Sequence, residues 1–211
     1  MAIRVVISDF GGVLTTPLLR SFLAFQNETG ISFEVLGNAM QRAAEQNGAY
    51  PLFELEKGNL SEAEFLELLQ DHLEPELGHR PQLHRFREIY FEALDPNEPM
   101  IELMRSLKGR GYRMALLTNN VREWEPLWRS MLPVDEIFEV IVDSAHVGTR
   151  KPEREIFELT LERLGAVSAS ECIFIDDTDV HCEAARKLGM SAVHFESNKQ
   201  AIGEIEAALS G

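Results

Sequence analysis

The chain has 211 residues, 45% of them hydrophobic, and a formal net charge of −15. That length buries a sizeable core, either as one large domain or as a core with an insert. The charge argues against a nucleic-acid partner, since sequence-independent affinity there comes from Lys and Arg neutralising phosphates, and no apolar stretch approaches membrane-span length.

The first predicted element is a strand, Val5-Val6-Ile7-Ser8, which ends at Asp9 and runs into the turn Phe10-Gly11-Gly12. Because Met1-Ala2-Ile3-Arg4 leads straight into it, no secretory signal is expected. Residues 17–96 hold no convincing strand, and their apolar residues recur at helical spacing. Within them, Ser61-Glu62-Ala63-Glu64 before Phe65, Leu66, Leu68 and Leu69 reads as a capping box opening an amphipathic helix. From Pro99 onward, helices and strands alternate. A helix over 99–109 precedes a strand over 112–118, and a further helix carries Trp124 and Trp128, whose spacing of four suits packing. A third strand covers 138–142, a helix runs from Pro152 to Gly165, and a fourth strand covers 172–176. The next helix ends at Gly189, a short fifth strand covers 191–195, and Ile202, Ile205 and Leu209 mark a terminal helix.

Such alternation predicts an α/β fold, a doubly wound parallel five-stranded sheet with helices on both faces. The expected division is a core of residues 1–16 and 97–211 with a helical cap inserted at 17–96. Cys172 falls in a strand and Cys182 on the following helix. The pair suits a reducing, cytoplasmic setting, with neither a disulfide nor a metal role.

Four strand ends or helix starts carry chemistry: Asp9, Thr118-Asn119, Lys151-Pro152 and Asp176-Asp177. Singly, such Asp and Thr residues commonly cap helices or turns, and a lone lysine is commonly a surface residue. Open parallel sheets, however, bring strand ends together at the edge where ligands bind. A nucleophile, a hydroxyl-amide pair, a cation and a carboxylate pair converging there would handle phosphate esters. In so acidic a chain, phosphate binding needs local positive charge from a lysine, backbone N–H groups and a divalent cation.

These residues resemble the haloacid dehalogenase-like hydrolase superfamily, whose pattern is an apolar strand into Asp-x-Asp-Gly-x-Leu, then Ser/Thr-Asn, Lys-Pro and an acidic pair. The match runs from Val5 to about Gly189. It is nearest to the branch with glucose-1-phosphate phosphatases and the phosphatase domain of soluble epoxide hydrolases. The resemblance implies strand order 3-2-1-4-5, a Mg2+ cofactor and a small phosphorylated substrate, a sugar phosphate being favoured. It implies that Asp9 attacks phosphorus, a recognised carboxylate chemistry. Thr118, the backbone N–H of Asn119 and Lys151 would hold the phosphoryl oxygens, with Gly11 beside them. Asp9, the Gly11 carbonyl and Asp177 would bind the metal, and Asp176 would tune that set from behind.

One departure matters. Where the family's phosphatases usually carry a second Asp as proton donor, this chain has Gly11. General acid–base catalysis is typically worth about 10²–10⁴-fold, so substrates with good leaving groups are favoured, or another group supplies the proton. His181, one helical turn after Asp177, is a candidate, and His79 and His84 are weaker ones. Two competing readings remain. A true haloacid dehalogenase needs no metal, so the Asp176-Asp177 pair speaks against it. A phosphate-binding protein without turnover would have no need of Asp9 as nucleophile.

Overall fold

The computed structural model describes residues 2–210. Its sheet has five strands: β1 (Val5–Ser8), β2 (Arg113–Thr118), β3 (Val140–Asp143), β4 (Cys172–Asp176) and β5 (Ser191–His194). All pairings are parallel and the order is β3-β2-β1-β4-β5, the order expected. Central β1 is buried throughout, as a strand with partners on both edges and cover on both faces must be. Ser8 lies opposite Leu116 and Ile175, so β1, β2 and β4 end nearly in step. Alternate residues then divide between two apolar layers. Val6, Met114, Leu116, Ile173 and Ile175 belong to one. Val5, Ile7, Ala115, Leu117 and Phe174 belong to the other.

Between β1 and the next sheet strand the chain is helical, with α1 (Leu19–Thr29), α2 (Phe33–Asn47), α3 (Pro51–Glu56), α4 (Glu62–Leu77) and α5 (Phe86–Glu92). The helical spacing of apolar residues is explained by pairing, since α2 packs on α4 and α1 on α5. The Ser61–Glu64 capping box forms in both directions and opens α4. The segment leaves and rejoins the sheet layer at one place. Thr15 and Pro96 form an antiparallel bridge, and the Asn97 side-chain amide donates to the Val13 carbonyl at 2.7 Å.

The remaining helices are α6 (Glu98–Gly109), α7 (Glu125–Met131), α8 (Val134–Ile137), α9 (Ser144–Val147), α10 (Arg154–Arg163), α11 (Asp179–Lys187) and α12 (Asn198–Ser210). Two details differ from expectation. Trp124 lies on a short 3-10 turn before α7, and only Trp128 is on the helix. α10 begins at Arg154, because the Glu153 N–H donates to the Arg150 carbonyl and closes a turn around Lys151 and Pro152. Both tryptophans are buried. Phe10 meets Trp128 edge-on at 5.3 Å between centroids, and Tyr90 of α5 lies 4.8 Å from Trp124. The first contact packs the turn after β1 on α7, and the second joins α5 to the segment after β2, with aromatic pairs worth about 0.5–1.5 kcal/mol each beyond burial. Both cysteines are buried and free. Among the described residues, no helix is long and apolar enough to cross a membrane.

Candidate active site

Asp9 follows β1 directly, its N–H donating to the Ile175 carbonyl at 2.8 Å, which ties it to the end of β4. Asp176 ends β4 and Asp177 follows it. Lys151 reaches both strands from the turn before α10. Its ammonium, 1% exposed, donates to Asp9 Oδ1 at 2.7 Å and to Asp176 Oδ2 at 2.6 Å. So long a side chain is buried only when paired, and the two carboxylates supply the pairing.

Asn119 holds that lysine in place. Its Oδ1 accepts from the Lys151 N–H at 2.8 Å and its Nδ2 donates to the Lys151 carbonyl at 3.0 Å. This amide clamp fixes the backbone on both sides of the Lys151 Cα, and it starts at the end of β2. Thr118, the last residue of β2, is itself buried. The sequence therefore brings Asp9, Thr118, Asn119, Lys151, Asp176 and Asp177 to one edge because β1, β2, β3 and β4 run parallel and their C-terminal ends all lie there.

Asp176 is fully buried and its oxygens are engaged. Beyond Lys151, its Oδ1 accepts from the Thr178 N–H and meets His181 Nδ1, both at 2.9 Å. Asp177 is only partly buried and packs against Gly12. A Cβ at Gly12 would stand 2.1 Å from Asp177 Oδ2, and Gly12 has φ +76°. Both the left-handed backbone and the close approach require glycine there. Gly11 differs, because the nearest atoms to a Cβ there are the flexible end of one side chain, Leu18 Cδ2 at 3.1 Å and Cδ1 at 3.2 Å.

The electrostatics follow from burial. Desolvation pushes Asp9 up to about 8, opposed by Lys151 and reinforced by Asp176 and Asp177. Burial and the Asp176 charge raise Asp177. Burial also acts against the Asp176 carboxylate, but Lys151 and His181 outweigh it and hold its pKa below the ordinary value. Burial acts against the Lys151 ammonium too, and its two carboxylate partners more than compensate. Three carboxylates thus face one ammonium, leaving an excess of negative charge.

That excess is what a divalent cation would neutralise. Asp9, Asp176 and Asp177 each offer an oxygen, and these atoms lie within 4.8 Å of one another. An all-oxygen carboxylate set suits a hard ion such as Mg2+. With Asp176 already engaged by Lys151, Thr178 and His181, Asp9 and Asp177 are the better-placed donors, and the Gly11 carbonyl lies in the same turn as Asp9. The residues present therefore fit the ion.

His181 stands behind Asp176, and the residues lining the cavity beside Gly11 do not include it. His79 and His84 line a separate surface depression with Glu28 and Arg85. That cavity, of about 240 Å³, is bordered by Gly11, Thr118 and Asn119 at the strand ends and by side chains from α1 to α5. Glu56, the last residue of α3, lines it as well. Its Oε2 accepts from Arg150 Nε at 2.6 Å, and burial raises its pKa despite that arginine. Sequence reasoning missed Glu56, since nothing in its neighbourhood separates it from the other members of a set of 35 acidic residues. Only the packing of α3 against the turn before α10 selects it.

A family model described as haloacid dehalogenase-like hydrolase matches residues 3–189. Bifunctional epoxide hydrolase 2 of Rattus norvegicus is 26% identical over 221 residues, covering 98% of this chain and 39% of that protein. The chain thus spans well under half of that relative. Fructose-1-phosphate phosphatase YqaB of Escherichia coli is 29% identical over 128 residues, 61% of this chain and 66% of that protein. The HAD family enzyme BT-2542 of Bacteroides thetaiotaomicron, solved with magnesium and inorganic phosphate, is 25% identical, with a TM-score of 0.66 over 90% of this chain and 93% of that one. With the expected motifs, the expected strand order and a family match over most of its length, the chain belongs to the haloacid dehalogenase-like hydrolases.

Proposed function

We propose that the protein is a Mg2+-dependent phosphatase acting on a small phosphorylated metabolite. The observation that carries this reading is the buried ammonium of Lys151 joining the Asp9 and Asp176 carboxylates, with Asp177 alongside. Support comes from relatives named as phosphatases and from a related structure solved with magnesium and phosphate.

In this reading an Asp9 oxygen attacks phosphorus, the bond to the leaving oxygen breaks, and an aspartyl-phosphate forms. Water then attacks that phosphorus, releasing phosphate and restoring Asp9. Lys151 and the Thr118 hydroxyl, with the Asn119 N–H, hold the equatorial oxygens, so catalysis is mostly positioning and charge stabilisation. Asp9, Asp177 and the Gly11 carbonyl would hold Mg2+, which would supply positive charge to offset repulsion between a carboxylate and a phosphate dianion. Asp176 orients Lys151 and His181 from behind. Glu56, the carboxyl lining the cavity beside Gly11, gives the leaving oxygen its proton in place of the missing second Asp and takes one back from the attacking water in the second step.

The division into a core, residues 1–16 and 97–211, and a cap, residues 17–96, belongs to the same proposal and rests on the paired crossings at Thr15 and Pro96. A cytoplasmic setting is part of it too, in keeping with two free cysteines. The test is phosphate release from a panel of alkyl, aryl, acyl and sugar phosphates, with Mg2+ or with EDTA. Turnover is expected only with Mg2+, and Asp9→Asn is expected to abolish it, because an amide cannot attack phosphorus. Full turnover by Asp9→Asn refutes the mechanism.

A further inference from the structure

We propose that the substrate's leaving group is apolar, an aliphatic or aryl alcohol seated in the cavity between α1–α5 and the strand ends; this rests on the phosphatase reading. Each of the five helices faces that cavity with an apolar side chain: Phe22, Met40, Leu52, Leu69 and Phe86 in turn. Trp124 and Trp128 close the side toward β2. Above Gly11, the Leu18 methyl groups stand where a longer side chain would project from the turn. The position that carries the second Asp in related phosphatases is thus covered by hydrocarbon here.

The polar groups along the wall are few, and several of their atoms already meet a partner within the protein. Asn119 holds the Lys151 backbone, Asn120 Oδ1 accepts from the Val121 N–H at 2.9 Å, and Glu56 is paired with Arg150. Thr118 belongs to the phosphate end in this reading. The Tyr90 hydroxyl and Trp128 Nε1, which has no hydrogen-bond partner among the described residues, are then what remains to meet a polar leaving group. A sugar buried here would lose water from several hydroxyls and recover few hydrogen bonds, a costly exchange. An alkyl or aryl group meets no such penalty. Cavities of about 150 Å³ lined by Leu, Ile and Phe admit benzene. A volume of about 240 Å³ therefore takes a ring with a few further carbons, or a chain of roughly eight carbons, on the scale set by benzene.

The test is a series of n-alkyl phosphates from methyl to decyl, with hexose phosphates alongside, assayed for kcat/KM in Mg2+. Each added methylene is expected to raise kcat/KM about fourfold until roughly eight carbons, then to level off. Hexose phosphates are expected to fall below hexyl phosphate. Met40→Trp and Leu52→Trp, at two half-buried wall positions, fill the space and are expected to lower the octyl-to-ethyl ratio at least ~10-fold, consistent with that per-methylene gain. A flat series, or hexose phosphates equal to hexyl phosphate, overturns the proposal. Non-hydrolysable alkylphosphonates separate the two layers of argument. If no ester turns over, the catalytic reading fails, yet a rise in Tm that grows with phosphonate chain length still supports the apolar chamber. A chain-length-independent Tm shift rejects it.

Discussion

Replacing Lys151 by methionine keeps much of the side chain's volume and removes the ammonium between Asp9 and Asp176. At an effective dielectric near 20, a contact of about 2.7 Å carries about 6 kcal/mol of attraction, and Lys151 makes two such contacts. Desolvation of three buried charges cancels most of that. What remains is the cost of stranding the partners, about 3–5 kcal/mol when one member of a buried pair is removed. For a chain of this size that lowers Tm by about 6–20 °C. The assay is urea and thermal unfolding in EDTA, so that no cation takes the place of the lysine.

The sign of the pH dependence follows. Without the ammonium, the folded-state pKa values of Asp9 and Asp176 both lie higher, above the unfolded value of about 3.9. The folded variant then holds more protons than the unfolded chain, so its stability falls as pH rises above about 4. Asp9 is already raised to about 8 beside the lysine, so below that pH the deficit relative to wild type comes from Asp176, whose carboxyl passes from below its ordinary value to above it, and the deficit shrinks as pH falls toward about 4. Asp176→Asn in the Lys151→Met background removes one stranded charge and recovers about 1–3 kcal/mol as a coupling energy. A Lys151→Met protein within about 1 kcal/mol of wild type at pH 7, or one whose deficit grows on acidification, refutes the electrostatic account.

Gly12→Ala places a methyl group 2.1 Å from Asp177 Oδ2 at φ +76°. It is expected to displace that carboxylate and to weaken Mg2+ binding at least ~10-fold, with backbone strain of about 1–2 kcal/mol; isothermal titration with MgCl2 measures the first, and unchanged affinity rejects Asp177 as a ligand. Glu56→Gln is expected to lower kcat about 10²-fold for alkyl phosphates, whose leaving oxygen needs a proton, and much less for aryl phosphates. An equal loss for both classes would mean that Glu56 acts through the Arg150 contact and the placement of α3.

The chemical vocabulary of the site was legible in the chain, and so was the fold that assembles it. Runs such as Val5–Ser8 and Cys172–Asp176 are apolar on both faces, a pattern that a central parallel strand requires, and the carboxylates sit at the ends of those runs. Residue order along the chain then suffices to bring Asp9, Thr118, Lys151 and Asp176 to one edge, since right-handed crossovers leave little choice of topology. The Lys-Pro position was less legible. Pro152 signals a helix start, yet the turn is held by Asn119, 32 residues earlier in the sequence, and no local pattern records that clamp.

The cavity was beyond sequence altogether. Leu18, Met40, Leu52 and Phe86 read as ordinary core residues of amphipathic helices, because their periodicity says which face is apolar and nothing about what that face meets. Glu56 likewise carries no mark until α3 is set against Arg150. What the amino-acid sequence determined by itself is the cluster of Asp9, Thr118, Lys151 and Asp176, because it depends on residue type at strand termini. The tertiary structure alone decided the cavity beside them, because its wall is made of surfaces from five helices, and local periodicity carries no information about how those surfaces meet.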